Sequence, residues 1–463
     1  MAVPQTSKGP TSQEERWLPA RLIPTSGIKG VDEQERRATS ALLSVMMAVP
    51  EFSRSLLKKV GAPAGTTRTY IEPPLETAKG KSRPDGAVII TRGGRNWRAF
   101  VEVKTGVNEL YREQIENYLD LARDNAFDAM ITISNQLAPA ADSHPLSVDK
   151  RKTRKVGLHH FSWVEILSEA ILQREFRGVS DPDQAWILGE LIAYLQHPSS
   201  GAMEFQDMGP NWVRVRDSAR DGTLRAADDG VEDVVTRWDQ FMQYICLYLM
   251  RELGVKVTQV LPRSEQSDRA LRKASLVKRL VEGGTIAGTI RVQNAAGDIG
   301  LAASLRVGTV SASLSLAAPD DGRPTTRVNW LVKQLSNAPD SARVDATFAG
   351  IRGGTSAKLQ EVREDPRALL AADKNRPPRM FAVAVTTNMG TKRGGTEGFI
   401  GQSTKLTLEF YRNVVQTLKP WTAAPAKLPG RDQPVDIATQ PEALVEEVAQ
   451  ETEEPAEDAH NES

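Results

Sequence analysis

Pro84-Asp85-Gly86-Ala87-Val88-Ile89-Ile90 and, a few residues later, Trp97-Arg98-Ala99-Phe100-Val101-Glu102-Val103-Lys104 decide how this chain reads. The apolar run 87–90 predicts a strand, Gly93 and Gly94 a turn, and 97–104 a second strand. Side chains alternate along a strand, so Glu102 and Lys104 share one face while Val101 and Val103 share the other. A returning hairpin brings the Asp85 carboxylate beside that pair. Two carboxylates and an ammonium at one sheet edge are costly to bury alone, so a hard divalent cation is the natural occupant. Such a set suits metal-assisted attack of water on a phosphodiester.

Two flanking features extend the pattern. Upstream, Glu35, Ala38 and Leu42 fall on one face of a predicted helix, although Glu33 lies near enough that helical phase does not single out Glu35. Downstream, Gln114 and Tyr118 sit one helical turn apart after the Lys104 strand. Further strands are expected at 129–133 and 156–161, followed by an amphipathic helix over 162–174.

Through Pro84-Asp85, Glu102-Val103-Lys104, the Glu35 helix and the Gln114/Tyr118 pair, residues 15–175 resemble the PD-(D/E)XK nuclease superfamily. The resemblance implies a restriction-endonuclease-like αβββαβ core. It also implies roles: Asp85 and Glu102 as metal ligands with the Val103 carbonyl as a third, and Mg²⁺ or Mn²⁺ as the metal. Oxygen-only ligation agrees with that choice over zinc. Lys104 would orient or help deprotonate the attacking water and offset charge in the transition state. Glu35 would add an acidic group, Gln114 would position a ligand or phosphate, and Tyr118 would pack on the strand or touch DNA. Lys79, Lys81 and Arg83, just before Asp85, would grip phosphates at the mouth. His159 and His160 point to opposite faces of one strand, so they cannot both ligate one ion, and neither is given a role.

Composition sets the frame. The 463 residues suffice for two cores, and 40% apolar with 25% charged residues is ordinary for a globular protein. No stretch is long and apolar enough to span a membrane, and the polar first ten residues do not form a signal peptide. The single cysteine, Cys246, excludes an internal disulfide and a Cys-rich zinc site, which makes a reducing cytoplasm the default. Net charge is zero, yet the segment after Arg431 carries Glu442, Glu446, Glu447, Glu451, Glu453, Glu454, Glu457, Asp458 and Glu462 without a Lys or Arg. The rest of the chain is therefore basic, as a binder of phosphate backbones should be. The acidic tail is expected to be disordered, serving as a solubilising segment or a DNA mimic.

The expected organisation is α/β: a polar arm (1–15), the nuclease-like domain (16–177), a connector (178–222), an α+β domain of no recognised family (223–428) and the acidic tail (429–463). The α+β domain opens with a helix carrying Val234, Trp238, Phe241, Ile245 and Leu249 at 3.6-residue spacing, capped by Gly254. Strands over 285–293, 299–307 and 310–316 should form an antiparallel meander, followed by a helix (328–335), a strand (343–348), a helix (366–372), a strand (380–387) and a last helix (404–418). Lys392-Arg393-Gly394-Gly395 makes a basic loop, but no P-loop or other NTPase motif is present, so the chain cannot translocate on DNA alone. The leading expectation is a Mg²⁺-dependent endodeoxyribonuclease of restriction, phage defence or repair. The alternatives are a non-cleaving nucleic-acid binder, DNA or RNA, and an interaction subunit working with a partner protein or motor, or as a homo-oligomer.

Overall fold

A computed structural model describes residues 22–23, 30–77, 80–138, 143–203, 205–266, 268–350, 352–390 and 397–421. The arm 1–15, Lys79, the loop at Lys392-Arg393-Gly394-Gly395 and the acidic tail lie outside the described residues.

In the N-terminal half the strands predicted at 87–90, 97–104, 129–133 and 156–161 all form, with helices before, between and after them. Helices α1 (Val31–Ala48) and α2 (Pro50–Lys58) precede β1 (Thr66–Ile71), a small hairpin of β2 (Leu75–Thr77) and β3 (Gly80–Ser82), then β4 (Gly86–Arg92) and β5 (Arg95–Val103). Next come α3 (Arg112–Asp124), β6 (Ala129–Ser134), β7 (Gly157–Ser162) and α4 (Trp163–Ile171), which continues as a π-helical turn, Leu172–Arg177. Five strands form a mixed sheet in the order β1-β4-β5-β6-β7. β1, β4 and β5 pair antiparallel, and β5, β6 and β7 pair parallel.

Alternation along β5 fixes which helix covers which face. Ala99, Val101 and Val103 join Val88, Ile90, Ile131 and Ile133 in a core shared with α1, α2 and α4. Phe100 points the other way and packs with Ile115, Leu119 and Met130 beneath α3. Glu102 has the parity of Phe100, so the chemistry lies on the α3 side.

The stretch expected to be a connector is instead split between cores. Helix α5 (Pro182–Gln196) buries Leu188, Leu191, Ile192, Tyr194 and Leu195 in the first core. Helix α6 (Trp212–Arg220) buries Trp212 and Val215 in the second.

The C-terminal half is built on α7 (Val231–Leu253), whose predicted stripe Val234, Trp238, Phe241, Ile245 and Leu249 is buried throughout, with Gly254 left-handed at its end. After it come β8 (Val257–Val260), α8 (Arg263–Gln266), α9 (Arg269–Gly283), β9 (Thr285–Val292), β10 (Ile299–Ser304), β11 (Thr309–Ala317) and α10 (Pro324–Gln334). They are followed by β12 (Arg343–Phe348), β13 (Gly354–Lys358), α11 (Leu359–Glu364), β14 (Pro378–Asn388) and α12 (Phe399–Asn413). The seven strands, all antiparallel, take the order β13-β12-β14-β11-β10-β9-β8, and the expected meander is β9-β10-β11. Two helices differ from expectation. The segment 366–372 is only a 3₁₀ turn, Pro366–Leu369, and the last helix starts at Phe399 and stops at Asn413.

Helix α9 is held to α7 by charge rather than by a broad apolar stripe. Arg272 is buried and reaches Asp239 at 2.8 Å and Glu265 at 2.9 Å. An Arg with two carboxylate partners satisfies its fork of donors, which is what makes such burial tolerable. No described helix is long and apolar enough to cross a membrane.

Candidate active site

The β4–β5 hairpin sets the geometry. Gly93 and Gly94 have φ of 55° and 77°, the left-handed values that a two-residue hairpin turn requires. With that turn fixed, Gly86 pairs with Val101, which brings Asp85 opposite Glu102 just past the end of the ladder. The Asp85 Oδ2 accepts the Val103 backbone N–H at 2.7 Å, so its carboxylate is held over the Glu102–Lys104 segment.

Glu102 is buried, 2% exposed. Its Oε1 accepts from Gln114 Nε2 at 2.6 Å and lies 3.1 Å from Lys104 Nζ. Its Oε2 is also buried and has no hydrogen-bond partner among the described residues. Lys104 Nζ lies 3.4 Å from Glu35 Oε2. The other oxygen of Glu35 accepts from Asn108 Nδ2 at 2.7 Å. Five residues predicted for the site, Glu35, Asp85, Glu102, Lys104 and Gln114, thus come together from α1, the β4–β5 hairpin and α3. Val103, whose carbonyl was expected as a ligand, supplies its N–H to Asp85.

Tyr118 lies one turn beyond Gln114 and donates to the Arg83 carbonyl at 3.4 Å. Arg83 is exposed beside the site, Lys81 stands in β3, and Lys79 is outside the described residues.

Electrostatics agree with the crowding. Burial raises the Glu102 carboxyl to about 7, helped by the neighbouring Asp85 charge and opposed by Lys104. Asp85 is raised by burial as well, against the stabilising Val103 N–H. Burial alone would lower Lys104, but Glu102, Asp85 and Glu35 outweigh it and hold the ammonium above its usual value. Lys104 is therefore a fixed positive charge. Such a charge suits orientation of a ligand and charge compensation.

One face-sharing row runs on from the site. Glu102, Thr132 and His160 are register partners across β5, β6 and β7. His160 Nε2 lies 2.7 Å from the Gln136 carbonyl, so it carries the proton and Nδ1 accepts from Thr132 Oγ1 at 2.9 Å. His144 Nε2 in turn lies 2.9 Å from the same Thr132 oxygen, to which it donates. Burial lowers His160 to about 3 and His144 to about 4, so both rings are neutral and act as hydrogen-bonding groups of the row.

Sequence reasoning missed the clamp behind the site. Thr105 Oγ1 donates to Gln34 Oε1, and Gln34 Nε2 donates to the Ser199 carbonyl. Gly106 N donates to the Gly201 carbonyl, and Asn135 Nδ2 donates to both Gly106 and Gly201 carbonyls. These bonds tie the loop after Lys104 to α1 and to the turn after α5. Gly106 and Gly201, each directly after short polar residues, are the faint signals the sequence holds.

Among the described residues no group of three or more His, Cys, Asp or Glu side chains is arranged to hold a metal. Two carboxylates converge instead, and the second has an oxygen with no donor. That orphan oxygen, with Glu102 pushed toward its neutral form, fits a site completed by a hard cation that keeps most of its own waters. No protein-family model matches this chain, and no curated protein matches it.

Proposed function

We infer that the N-terminal half is a divalent-cation-dependent nuclease hydrolysing phosphodiester bonds, with DNA as the leading substrate and a restriction-endonuclease-like core as its scaffold. The observation that carries this reading is the buried, donorless Oε2 of Glu102 beside Asp85. A buried carboxylate oxygen without a donor costs roughly 1–3 kcal/mol, more when charged, and a bound cation beside Asp85 would offset that cost. The order of elements and the mixed five-stranded sheet give further support.

Asp85 and Glu102 would hold the Mg²⁺ or Mn²⁺, with the Val103 carbonyl as the third oxygen. When bound, the cation would supply Lewis-acid activation of water and neutralisation of the phosphate. The chain's own residues do the rest. Gln114 fixes the Glu102 rotamer by holding Oε1, which leaves Oε2 as the oxygen that would ligate the cation. Glu35 and Asn108 hold the Lys104 ammonium in place, where it offsets the charge that grows on the phosphoryl oxygens. The exposed Arg83 and the half-buried Tyr118 line the approach for the strand.

The test is direct. Pure protein incubated with plasmid and Mg²⁺ or Mn²⁺ should nick or linearise it, and EDTA should stop the reaction. Asp85→Ala should abolish cleavage while the fold and most DNA affinity persist. Absence of cleavage of duplex DNA, single-stranded DNA and RNA with either metal would overturn the reading.

A further inference from the structure

A cleft of about 710 Å³ separates the last strand of one sheet from the last strand of the other. It is lined by consecutive residues of both parities, 158–162 on β7 and 256–261 around β8. Consecutive lining means that strand edges, not sheet faces, look into the space. Hydrogen-bond phase agrees. Gly157 N donates to Asp128 O on the β6 side, so the peptide groups of Leu158 and His160 point the other way, into the cleft. On β8, Lys256 O accepts from Gln293 N, so the N–H and C=O groups of Val257 and Gln259 turn away from β9.

Edges with no main-chain partner among the described residues are templates for another strand. The space has the size of one. A strand residue rises about 3.3 Å, sheets have strands about 4.8 Å apart, and a sheet layer is about 10 Å thick, so each residue occupies roughly 160 Å³. The cleft therefore holds four to five residues, and β8 itself has four.

The lining says what kind of strand. Leu158, Leu247 and Met250 offer apolar contact, while the lining amides are already engaged, Gln243 Nε2 donating to Gln259 Oε1 and Gln259 Nε2 to Asp239 Oδ1. Lys59 is already paired with Glu165 and Glu169, and Arg291 with Asp298. Lys256 is exposed and has no ion pair among the described residues. Nucleic acid would want exposed rings for stacking, and the one ring in the lining apart from histidine, Phe161, is buried. We propose that this cleft takes an extended four- to five-residue segment of a partner protein, paired by its main chain to the free edge of β8, with alternate apolar side chains and an acidic residue facing Lys256. The proposal is independent of the nuclease reading.

Hydrogen exchange on the intact protein tests it, with acetyl-Ala-Val-Glu-Val-Glu-amide at millimolar concentration as the probe. The amides of Val257 and Gln259 should slow at least ten-fold. A version of the peptide N-methylated at alternate residues should give no protection, because it lacks the donors that pair. Lys256→Glu, at an exposed position, should weaken the acidic peptide at least five-fold and leave the Gln-for-Glu peptide unchanged. Protection confined to Leu158 and His160, equal protection by the N-methylated peptide, or no protection at all would each overturn the proposal.

Discussion

At the scale of single residues, the site is an argument about uncompensated charge. Glu102 is the group to watch, because its folded pKa of about 7 stands above the ordinary carboxyl value of 4.5. The sign follows from proton linkage. Between those two values the folded chain binds more protons than the unfolded one, so Glu102 costs stability as pH rises through 4.5, and the cost is complete above about 7. Without metal, Glu102→Gln should therefore stabilise the protein more at pH 8 than at pH 4.5, by a difference of up to about 3 kcal/mol. Urea denaturation in EDTA at the two pH values measures this, and an equal effect at both would remove Glu102 from the argument. Lys104 makes a separate claim. Lys104→Ala should lower the single-turnover rate by about 10²–10³, the usual worth of one preorganised transition-state contact, with Mn²⁺ affinity retained. An unchanged rate would make Lys104 a bystander to the ion-pair cluster.

At the scale of elements, the hairpin and its flanking helices were legible because their signals are local. Alternation over 97–104 and two adjacent glycines lie within a dozen residues, and they placed Asp85, Glu102 and Lys104 together; Gln114 and Glu35 were added by the family resemblance, not by local pattern. What was not legible has a physical reason in each case. β1 is an edge strand with most side chains exposed, so Thr66 to Ile71 shows no apolar alternation. α9 buries only Arg272, Leu276 and Leu280, and one of those is a charge whose partners stand on α7 and α8. The Gln34–Ser199 bond joins residues 165 apart in the chain, which no local pattern encodes. Gly201 shows how tight that joint is. It has φ of 76°, and a Cβ there would meet Gln34 at 2.3 Å and Thr105 at 2.8 Å. Gly201→Ala should cost about 1–2 kcal/mol for the left-handed backbone alone, and more for displacing Gln34. Because Gln34 adjoins Glu35, turnover should fall more than substrate affinity. Thermal melts and steady-state cleavage check both parts, and a variant with wild-type stability would show that the joint yields freely.

At the scale of the molecule, the two sheets rest on cores that do not follow the expected boundaries. Because α5 belongs to the first core, a fragment ending at Arg177 loses five buried apolar side chains. Each is worth roughly 1.5–3 kcal/mol, together about the whole net stability of a domain. Such a fragment should be insoluble or lack a cooperative melt, as circular dichroism during heating would reveal. A fragment that melts cooperatively would mean that α5 is dispensable. The clamp through Gly201 carries a consequence for the life of the polypeptide. Asp85, Glu102, Lys104 and Gln114 all leave the ribosome well before the 198–201 turn that steadies Gln34 and the loop after Lys104. The order of synthesis thus withholds the last brace until the first sheet and α5 are made, and an unfinished chain carries the acidic cluster and Lys104 without the frame that aims them.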